Sequence, residues 1–365
     1  MLKNHRKSRI HARWLMTLNE TLNEREQTIL QAVVQCYITT AEPVGSRTIV
    51  KRYSLELSPA TVRNVMSDLE ELGYLQQLHT SSGRVPTDKG YRYFVNYLMR
   101  VQELSLSERN RIDHELSARL RDADEVLRQT SQLLALITHQ TGIVKAPDER
   151  SVEVRHIEVV EVASNRGAVL VADNYGRVHT VMMPLDAPVQ TEDLVKLNRF
   201  LNDHLRGVLI GRIPSAIEDV MRSLMDEQRR LAEKALQVVS FLPRSRPGQL
   251  YLEGTTQLFE QPEFHDVGRA REVFGLFEER DRLVQLLQAG IADHPMLVPS
   301  VLIGSELQQP GLQEISVVAS PYRIGDKAVG VLGVLGPRRM PYPRLTAIVD
   351  YTAGMVSRFL TSLVG

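Results

Sequence analysis

The sequence predicts a multidomain α+β protein that begins with a winged helix-turn-helix. The first hundred residues show the order helix, helix-turn-helix and β-hairpin, and from Val152 onward the apolar period switches to the two-residue spacing of strands. The chain has no formal net charge, yet residues 1–100 contain 14 basic and 9 acidic residues, so a net charge of +5 there is balanced by −5 elsewhere. A basic terminal part joined to a body that is not basic is typical of a DNA-binding domain attached to a second module.

Composition excludes several classes of protein. No apolar run among the 365 residues approaches the ~20 residues of a membrane span, and only Trp14-Leu15-Met16 follows the basic start, which is too short for a secretory signal. We therefore expect a cytoplasmic protein, associated with the nucleoid when it is bound to DNA. Cys36 is the single cysteine, so we expect neither an internal disulfide nor a cysteine-rich zinc site, and its apolar neighbours favour a buried thiol.

The predicted winged helix occupies residues 19–104, after a basic extension, residues 1–18, that we expect to be disordered. Its first helix begins after Asn23, where Glu26 completes a capping box. Ser46 is predicted to cap a short second helix.

The third helix has the clearest start signal in the chain. Ser58 is a favoured N-cap residue, and Pro59 occupies the first helical position, where its missing N–H costs nothing. Gly73 is a natural stop. Strands at 74–78 and 84–86 are predicted to form the wing, with Thr87 capping a further helix.

The polar face of the third helix suits DNA. Its N-terminus offers N–H groups and a positive dipole end to a phosphate, Arg63 can pair with guanine O6 and N7, and Asn64 can pair with adenine or a phosphate. The wing side chains can reach phosphate or the adjacent minor groove. The predicted DNA-contacting residues are Ser46, Arg47, Ser58, Pro59, Thr61, Arg63, Asn64, Ser67, His79, Ser81, Ser82 and Arg84. A protein–protein module remains the alternative for such a small helical domain.

Four segments closely resemble the HrcA family of heat-inducible transcription repressors, and the resemblance extends over nearly the whole chain after Met16. They are Leu22-Asn23-Glu24-Arg25-Glu26, Glu42-Pro43-Val44-Gly45-Ser46-Arg47-Thr48, residues 57–64, and His79-Thr80-Ser81-Ser82-Gly83-Arg84-Val85-Pro86-Thr87. The N-terminal extension departs from the family, and nothing is transferred to it.

The rest of the chain predicts an antiparallel α+β domain with a helical insertion. A capping box at Ser105 and Glu108 starts a long amphipathic linker helix. We expect the strands of residues 152–183 and 302–335 to form one sheet domain, residues 105–190 and 286–365, interrupted at 191–285. The resemblance implies that the sheet domain is GAF-like and that the insertion is a dimerisation domain.

No pattern predicts an enzyme, a metal site or a cofactor. The histidines lack metal spacing, and no phosphate loop or nucleophile elbow is present. Gly330, Gly333 and Gly336 mimic a dinucleotide loop, but they fall within a predicted strand rather than in a strand-to-helix turn. Glu306 follows a strand glycine, and a structural hydrogen bond is the favoured interpretation there.

The resemblance implies a homodimeric repressor that binds the inverted-repeat CIRCE operator of heat-shock operons and is modulated by the GroE chaperonin. A dimer with two recognition helices fits an inverted repeat. Two alternatives stay open: a regulator whose GAF-like domain binds a small effector, and a scaffold protein whose N-terminal domain contacts protein.

Overall fold

The computed structural model describes residues 22–79, 82–117, 123–147, 152–163, 166–185, 190–223, 226–240, 249–292, 299–309 and 311–364. These residues belong to two compact units. The described residues of the first unit fall within Met1–Val101, Ile303–Ser305 and Arg338–Pro343, and those of the second fall within Gln102–Leu302, Glu306–Pro337 and Arg344–Gly365. The predicted extension at 1–18 and the wing residue Ser81 lie outside the described residues.

The first unit has the predicted winged-helix order. Its elements are α1 (Glu24–Thr40), α2 (Ser46–Tyr53), α3 (Pro59–Glu71), β1 (Leu75–Gln77), β2 (Arg84–Pro86) and α4 (Asp88–Tyr93), which continues as a π-helical turn (Phe94–Leu98). Strands β1 and β2 pair antiparallel as the wing. The core is formed by apolar side chains from all three main helices, including Ile29, Leu30, Ile49, Val62, Met66 and Leu69.

Local capping explains where these helices begin. The Asn23 side chain accepts a hydrogen bond from the backbone N–H of Glu26, and the Glu26 carboxylate accepts one from the N–H of Asn23, so the predicted capping box is confirmed. Gly73 has a φ of +77° just beyond α3, as expected for a helix stop. Helix α2 differs from the prediction, because Gly45 is its N-cap residue and Ser46 is already helical.

The second unit contains two antiparallel sheets and nine helices among its described residues. The helices are α5 (Leu106–Ser117), α6 (Ala123–Thr138), α7 (Thr191–Leu205), α8 (Ile213–Ser223), α9 (Asp226–Ser240), α10 (Thr255–Phe259), α11 (Val267–Glu278), α12 (Arg280–Ala292) and α13 (Tyr342–Val364). The strands are β3 (Thr141–Lys145), β4 (Val154–Ala163), β5 (Arg166–Asp173), β6 (Val178–Pro184), β7 (Leu250–Glu253), β8 (Ser300–Ile303), β9 (Ile315–Ile324) and β10 (Lys327–Pro337). Short 3-10 turns lie at Ile210–Arg212 and Pro262–Phe264, and a third, Gly304–Leu307, begins with residues of the first unit.

The larger sheet has the strand order β7-β3-β10-β9-β8. All five residues of β3 are buried, because the strand is interior and α6 packs against it. Apolar residues of α11 and α12, such as Leu276 and Leu287, share a core with Val317 of β9 and Leu335 of β10. The glycines of β10 lie inside a strand paired on both sides, which agrees with the rejection of a dinucleotide loop.

The expectation of one sheet built from residues 152–183 and 302–335 is wrong. Strands β4, β5 and β6 form a separate three-stranded sheet, whose core is completed by α7, α8 and α9. Period-two alternation predicts a strand but not its partner, so both sheets look alike in sequence. Strand β3 was not predicted, because a short buried run lacks alternation.

Two asparagines of α7 cover the edge of the smaller sheet that β4 forms. Asn202 donates from Nδ2 to the carbonyl of Ile157 (2.6 Å) and accepts from the N–H of Ile157 at Oδ1 (3.1 Å). Asn198 bonds in the same two ways to Val159, with distances of 3.0 and 2.7 Å. The amides thus satisfy backbone groups of edge strand β4 that would otherwise pair with another strand.

Candidate nucleic-acid interface

Helices α2 and α3 form the helix-turn-helix, and α3 exposes a polar face opposite its buried residues. Arg63 and Asn64 are exposed at the start of α3, while Val62, Val65 and Met66 face the core. The side chains of Arg63 and Asn64 make no hydrogen bond or ion pair with any described residue. Both side chains are therefore available to an external donor or acceptor.

The hydroxyls at the N-terminus of α3 serve the helix itself. The Ser58 Oγ atom accepts a hydrogen bond from the backbone N–H of Thr61 (3.1 Å) and lies 2.9 Å from the Thr61 hydroxyl. Pro59 follows as the first helical residue and is exposed. This pair fixes the start of α3, so that Arg63 is presented from a helix with a defined first turn.

Helix α2 adds cations that the predicted contact set only partly included. Arg47 and Lys51 are exposed and lie four residues apart, so they share one face of α2. Ser46 is half-buried at the start of the same helix. Lys51 was absent from the predicted set, although its spacing from Arg47 was a usable signal. Two cations on one face are suited to adjacent phosphates of a DNA backbone.

The wing loop is closed by Ser82. Its Oγ donates to the carbonyl of His79 (2.8 Å) and accepts from the N–H of His79 (3.0 Å). The His79 side chain is exposed, whereas the Ser82 hydroxyl is occupied inside the loop. Among the described wing residues predicted to contact DNA, His79 is therefore the one whose side chain stays exposed and unbonded.

Arg84 points toward α3, which revises the expectation that it reaches backbone phosphate. Its Nε lies 2.8 Å from the Glu70 carboxylate, and its Nη2 donates to Ser67 Oγ (2.9 Å). The side chain is only 12% exposed. A carboxylate competes directly with a phosphate for a guanidinium. The predicted contacts Ser67 and Arg84 are thus bonded to each other, and Glu70 is a partner that the sequence analysis missed.

The C-terminal end of α3 is held by Thr87, the N-cap residue of α4, and by Lys89 of α4, through contacts that were also missed. Lys89 donates from Nζ to the carbonyl of Leu72 (2.7 Å), and Thr87 donates from Oγ1 to the carbonyl of Gly73 (2.7 Å). A cation at the C-terminus of a helix interacts favourably with the helix dipole. Both ends of α3 are therefore fixed by side-chain hydrogen bonds.

Comparison with known proteins agrees with this geometry. Residues 21–98 match the family model "Winged helix-turn-helix transcription repressor, HrcA DNA-binding", and residues 124–346 match "HrcA protein C terminal domain". The chain is 43% identical to the heat-inducible transcription repressor HrcA of Geobacter sulfurreducens, over 93% of this chain and 98% of that protein. It is 37% identical to the HrcA repressor of Pelotomaculum thermopropionicum, over 94% and 98%.

A solved structure shares the fold. It is described as a hypothetical protein at 2.2 Å resolution, and it superposes with a TM-score of 0.65 at 21% identity over 94% of this chain and all of that chain. Within the part of the chain that the structure describes, we find no helix that is both long and apolar enough to span a bilayer.

Proposed function

The chain belongs to the HrcA family of transcription repressors, and we propose that it represses heat-shock operons by binding the inverted-repeat CIRCE operator as a homodimer. The observation that supports this proposal most strongly is the exposed, unbonded pair Arg63 and Asn64 on a helix that is capped at its start and tethered at its end. Such a helix can enter a major groove without giving up internal hydrogen bonds.

We assign different roles to the residues around this helix. Arg63 and Asn64 read base edges, with Ser58, Pro59 and Thr61 setting the approach of the helix N-terminus. Arg47, Lys51 and the Ser46 segment contact phosphate, and His79 does so from the wing together with Ser81. Arg84, through Ser67 and Glu70, holds the wing against the recognition helix α3. Phosphate contacts position the protein and base contacts select the sequence.

We place the inserted dimerisation domain at residues 152–240 instead of 191–285, and the GAF-like domain in the larger sheet and its helices. The support is the apolar core shared by β4–β6 and α7–α9. Outside this core, the other face of the smaller sheet carries apolar side chains beside polar ones such as His156 and Glu158. Met182, Ala168 and Val160 form a cross-strand row there, and Val178 (61% exposed) and Met182 (49%) stand on the same side of β6. Exposed apolar surface of this kind is suited to a second copy of the chain.

A charged substitution in this face tests the dimer. Val178→Glu should convert the dimer to a monomer in sedimentation at micromolar concentration, because the apolar interface would have to bury a carboxylate. Val195→Glu is the matched control, since Val195 is equally exposed (62%) but lies on α7. If both variants remain dimeric, the sheet face is not the interface.

We further propose that the GroE chaperonin promotes the active, operator-binding form in the cytoplasm. A gel shift with a CIRCE duplex, in the presence and absence of chaperonin, tests this point. A rise in the operator-binding fraction with chaperonin supports it. The competing regulator with a small effector predicts instead that a metabolite panel changes binding while chaperonin has no effect.

A further inference from the structure

Three consecutive residues in the first turn of α4 connect two distant parts of the chain within the first unit. The outer two, Thr87 and Lys89, hold the C-terminal end of α3 through the carbonyls of Gly73 and Leu72. Thr87 also donates to the carbonyl of Tyr74 (3.1 Å). This turn is therefore bonded directly to the end of the recognition helix.

The middle residue, Asp88, holds segments that follow it by more than two hundred positions. Its Oδ1 accepts from Nη1 of Arg338 (2.8 Å). Its Oδ2 accepts from the backbone N–H of Ser305 (2.9 Å) and from the Ser305 hydroxyl (2.7 Å). Although partial burial opposes ionisation, the hydrogen bonds from Arg338 and Ser305 lower the pKa of Asp88, so the carboxylate is charged near neutral pH.

The close approach of these segments is built into the backbone. Gly304 has a φ of +51°, and a Cβ atom placed there would lie 2.6 Å from the Asp88 carboxylate oxygens. Two further contacts support the same segments: Arg339 donates to the carbonyl of Ile38 in α1 (3.3 Å), and the rings of Tyr342 and Tyr91 pack edge to face at 6.0 Å. The first unit, which contains the recognition helix α3, thus includes residues from the last sixth of the chain.

We propose that Asp88 is a positioning residue for DNA binding, which joins the segments at Ser305 and Arg338 to the C-terminal end of the recognition helix through Thr87 and Lys89. Its hydrogen bonds to described residues involve no DNA-facing side chain. Arg338 follows β10 directly, and Ser305 lies two residues after the end of β8. A rearrangement at the ends of those strands is therefore transmitted to α3 through this turn. The proposal rests on the DNA-binding function proposed above and names a means of regulating it.

The test compares two arginine variants of the full-length protein. Arg338→Gln removes the partner of Asp88, while Arg344→Gln removes an ion pair of the same type to Glu108 (3.2 Å) outside this network. Operator affinity is measured with a CIRCE duplex at a temperature well below the melting temperature of each variant. A stoichiometric titration gives the fraction of protein that is able to bind DNA. Hydrogen exchange is measured on the free protein over residues 69–75, where the amides of Leu72, Gly73 and Tyr74 bond within α3.

We expect Arg338→Gln and Asp88→Asn each to weaken operator binding about tenfold and to accelerate exchange at residues 69–75. The double variant should be no weaker than Asp88→Asn alone, because that substitution already removes the charge that Arg338 binds. Arg338→Lys should restore most of the affinity, and Arg344→Gln should match the wild type. Additive losses, or unchanged exchange in Arg338→Gln, would overturn the proposal. Since exchange is measured without DNA, failure of the wild type to bind CIRCE would contradict only the proposed operator.

Discussion

The Nε atom of Arg84 lies 2.8 Å from the Oε2 atom of Glu70, and this ion pair ties strand β2 of the wing to the recognition helix. The Glu70 carboxylate also accepts from the backbone N–H of Gln77 in β1 (3.1 Å). One glutamate of α3 is therefore bonded to both strands of the wing. The orientation of the wing relative to α3 depends on Arg84 and Glu70 together.

Replacing Arg84 by alanine should weaken operator binding without changing its salt dependence. A residue that only positions the wing neutralises no phosphate, so the slope of log K against log salt should stay at the wild-type value. Arg47→Ala is the matched control, and it should reduce the slope by about 0.9 because one phosphate contact is lost. Filter-binding titrations across salt concentrations measure both slopes. A lowered slope for Arg84→Ala would show instead that Arg84 contacts phosphate.

Replacing Arg63 by alanine should remove discrimination at one base pair. If Arg63 pairs with a guanine, the variant should lose ~1–3 kcal/mol on the operator and little on duplexes mutated at that position. Competition titrations with a panel of single-position operator variants identify the base pair. Lys51→Ala serves as the comparison and should weaken all duplexes equally. A uniform loss for Arg63→Ala would mean that Arg63 contacts phosphate.

Asp173 should make the stability of the protein sensitive to acid. Burial disfavours its charge, but hydrogen bonds from His179 (3.1 Å) and Arg177 (2.8 Å) and the charge of Arg177 lower its pKa overall. A carboxyl whose pKa is lowered by folding stabilises the protein at pH values above its ordinary pKa of about 3.9. This contribution is lost as the pH falls through the lowered pKa.

Asp173→Asn should cost about 3–5 kcal/mol near neutral pH, as expected when one partner of a buried ion pair is removed, and this loss should shrink in acid. Urea unfolding at pH 7 and at pH 3 measures the difference. Asp203→Asn is the control, because its ion pair with Arg199 is long (4.0 Å) and largely exposed. An acid-independent loss for Asp173→Asn would show that the charge of Asp173 is not the source of its stabilisation.

Replacing Asn202 by alanine should uncover the edge of β4. The N–H and carbonyl of Ile157 would lose their partners, at a cost of about 1–3 kcal/mol for each group that stays unsatisfied. The variant should also aggregate faster, because an uncovered edge strand pairs with other chains. Thermal unfolding and light scattering measure the two effects. Lys196→Ala, an exposed position on the same helix, should behave as the wild type, and equal behaviour of both variants would contradict the role of Asn202.

Capping chemistry made the winged helix predictable. The signals at Asn23, Ser58 and Gly73 act within a few residues, so the limits of α1 and α3 follow from local sequence. The exposed face with Arg63 and Asn64 follows from helical periodicity in the same way. The expected DNA target, the CIRCE operator, came from the resemblance to a known family, because the residues of one helix do not identify an operator.

Contacts between distant residues explain what was missed. The bond between Arg84 and Glu70 spans 14 positions, and that between Asp88 and Arg338 spans 250, so neither leaves a periodic pattern in the sequence. The division of the strands into two sheets has the same origin, because alternation does not specify a partner strand. The predicted linker helix corresponds to α5 and α6, and residues 118–122 between them lie outside the described part of the chain.

A titration of wild-type protein against two fluorescent duplexes shows whether a dimer recognises the inverted repeat. One duplex contains the intact CIRCE inverted repeat, and the other has one half-site scrambled at several positions, with salt held constant. We expect the intact duplex to bind two protomers and the scrambled one to bind at least about a hundredfold more weakly, since each mismatched base pair costs about 1–3 kcal/mol. Equal affinity for both duplexes would contradict sequence-specific recognition by a dimer.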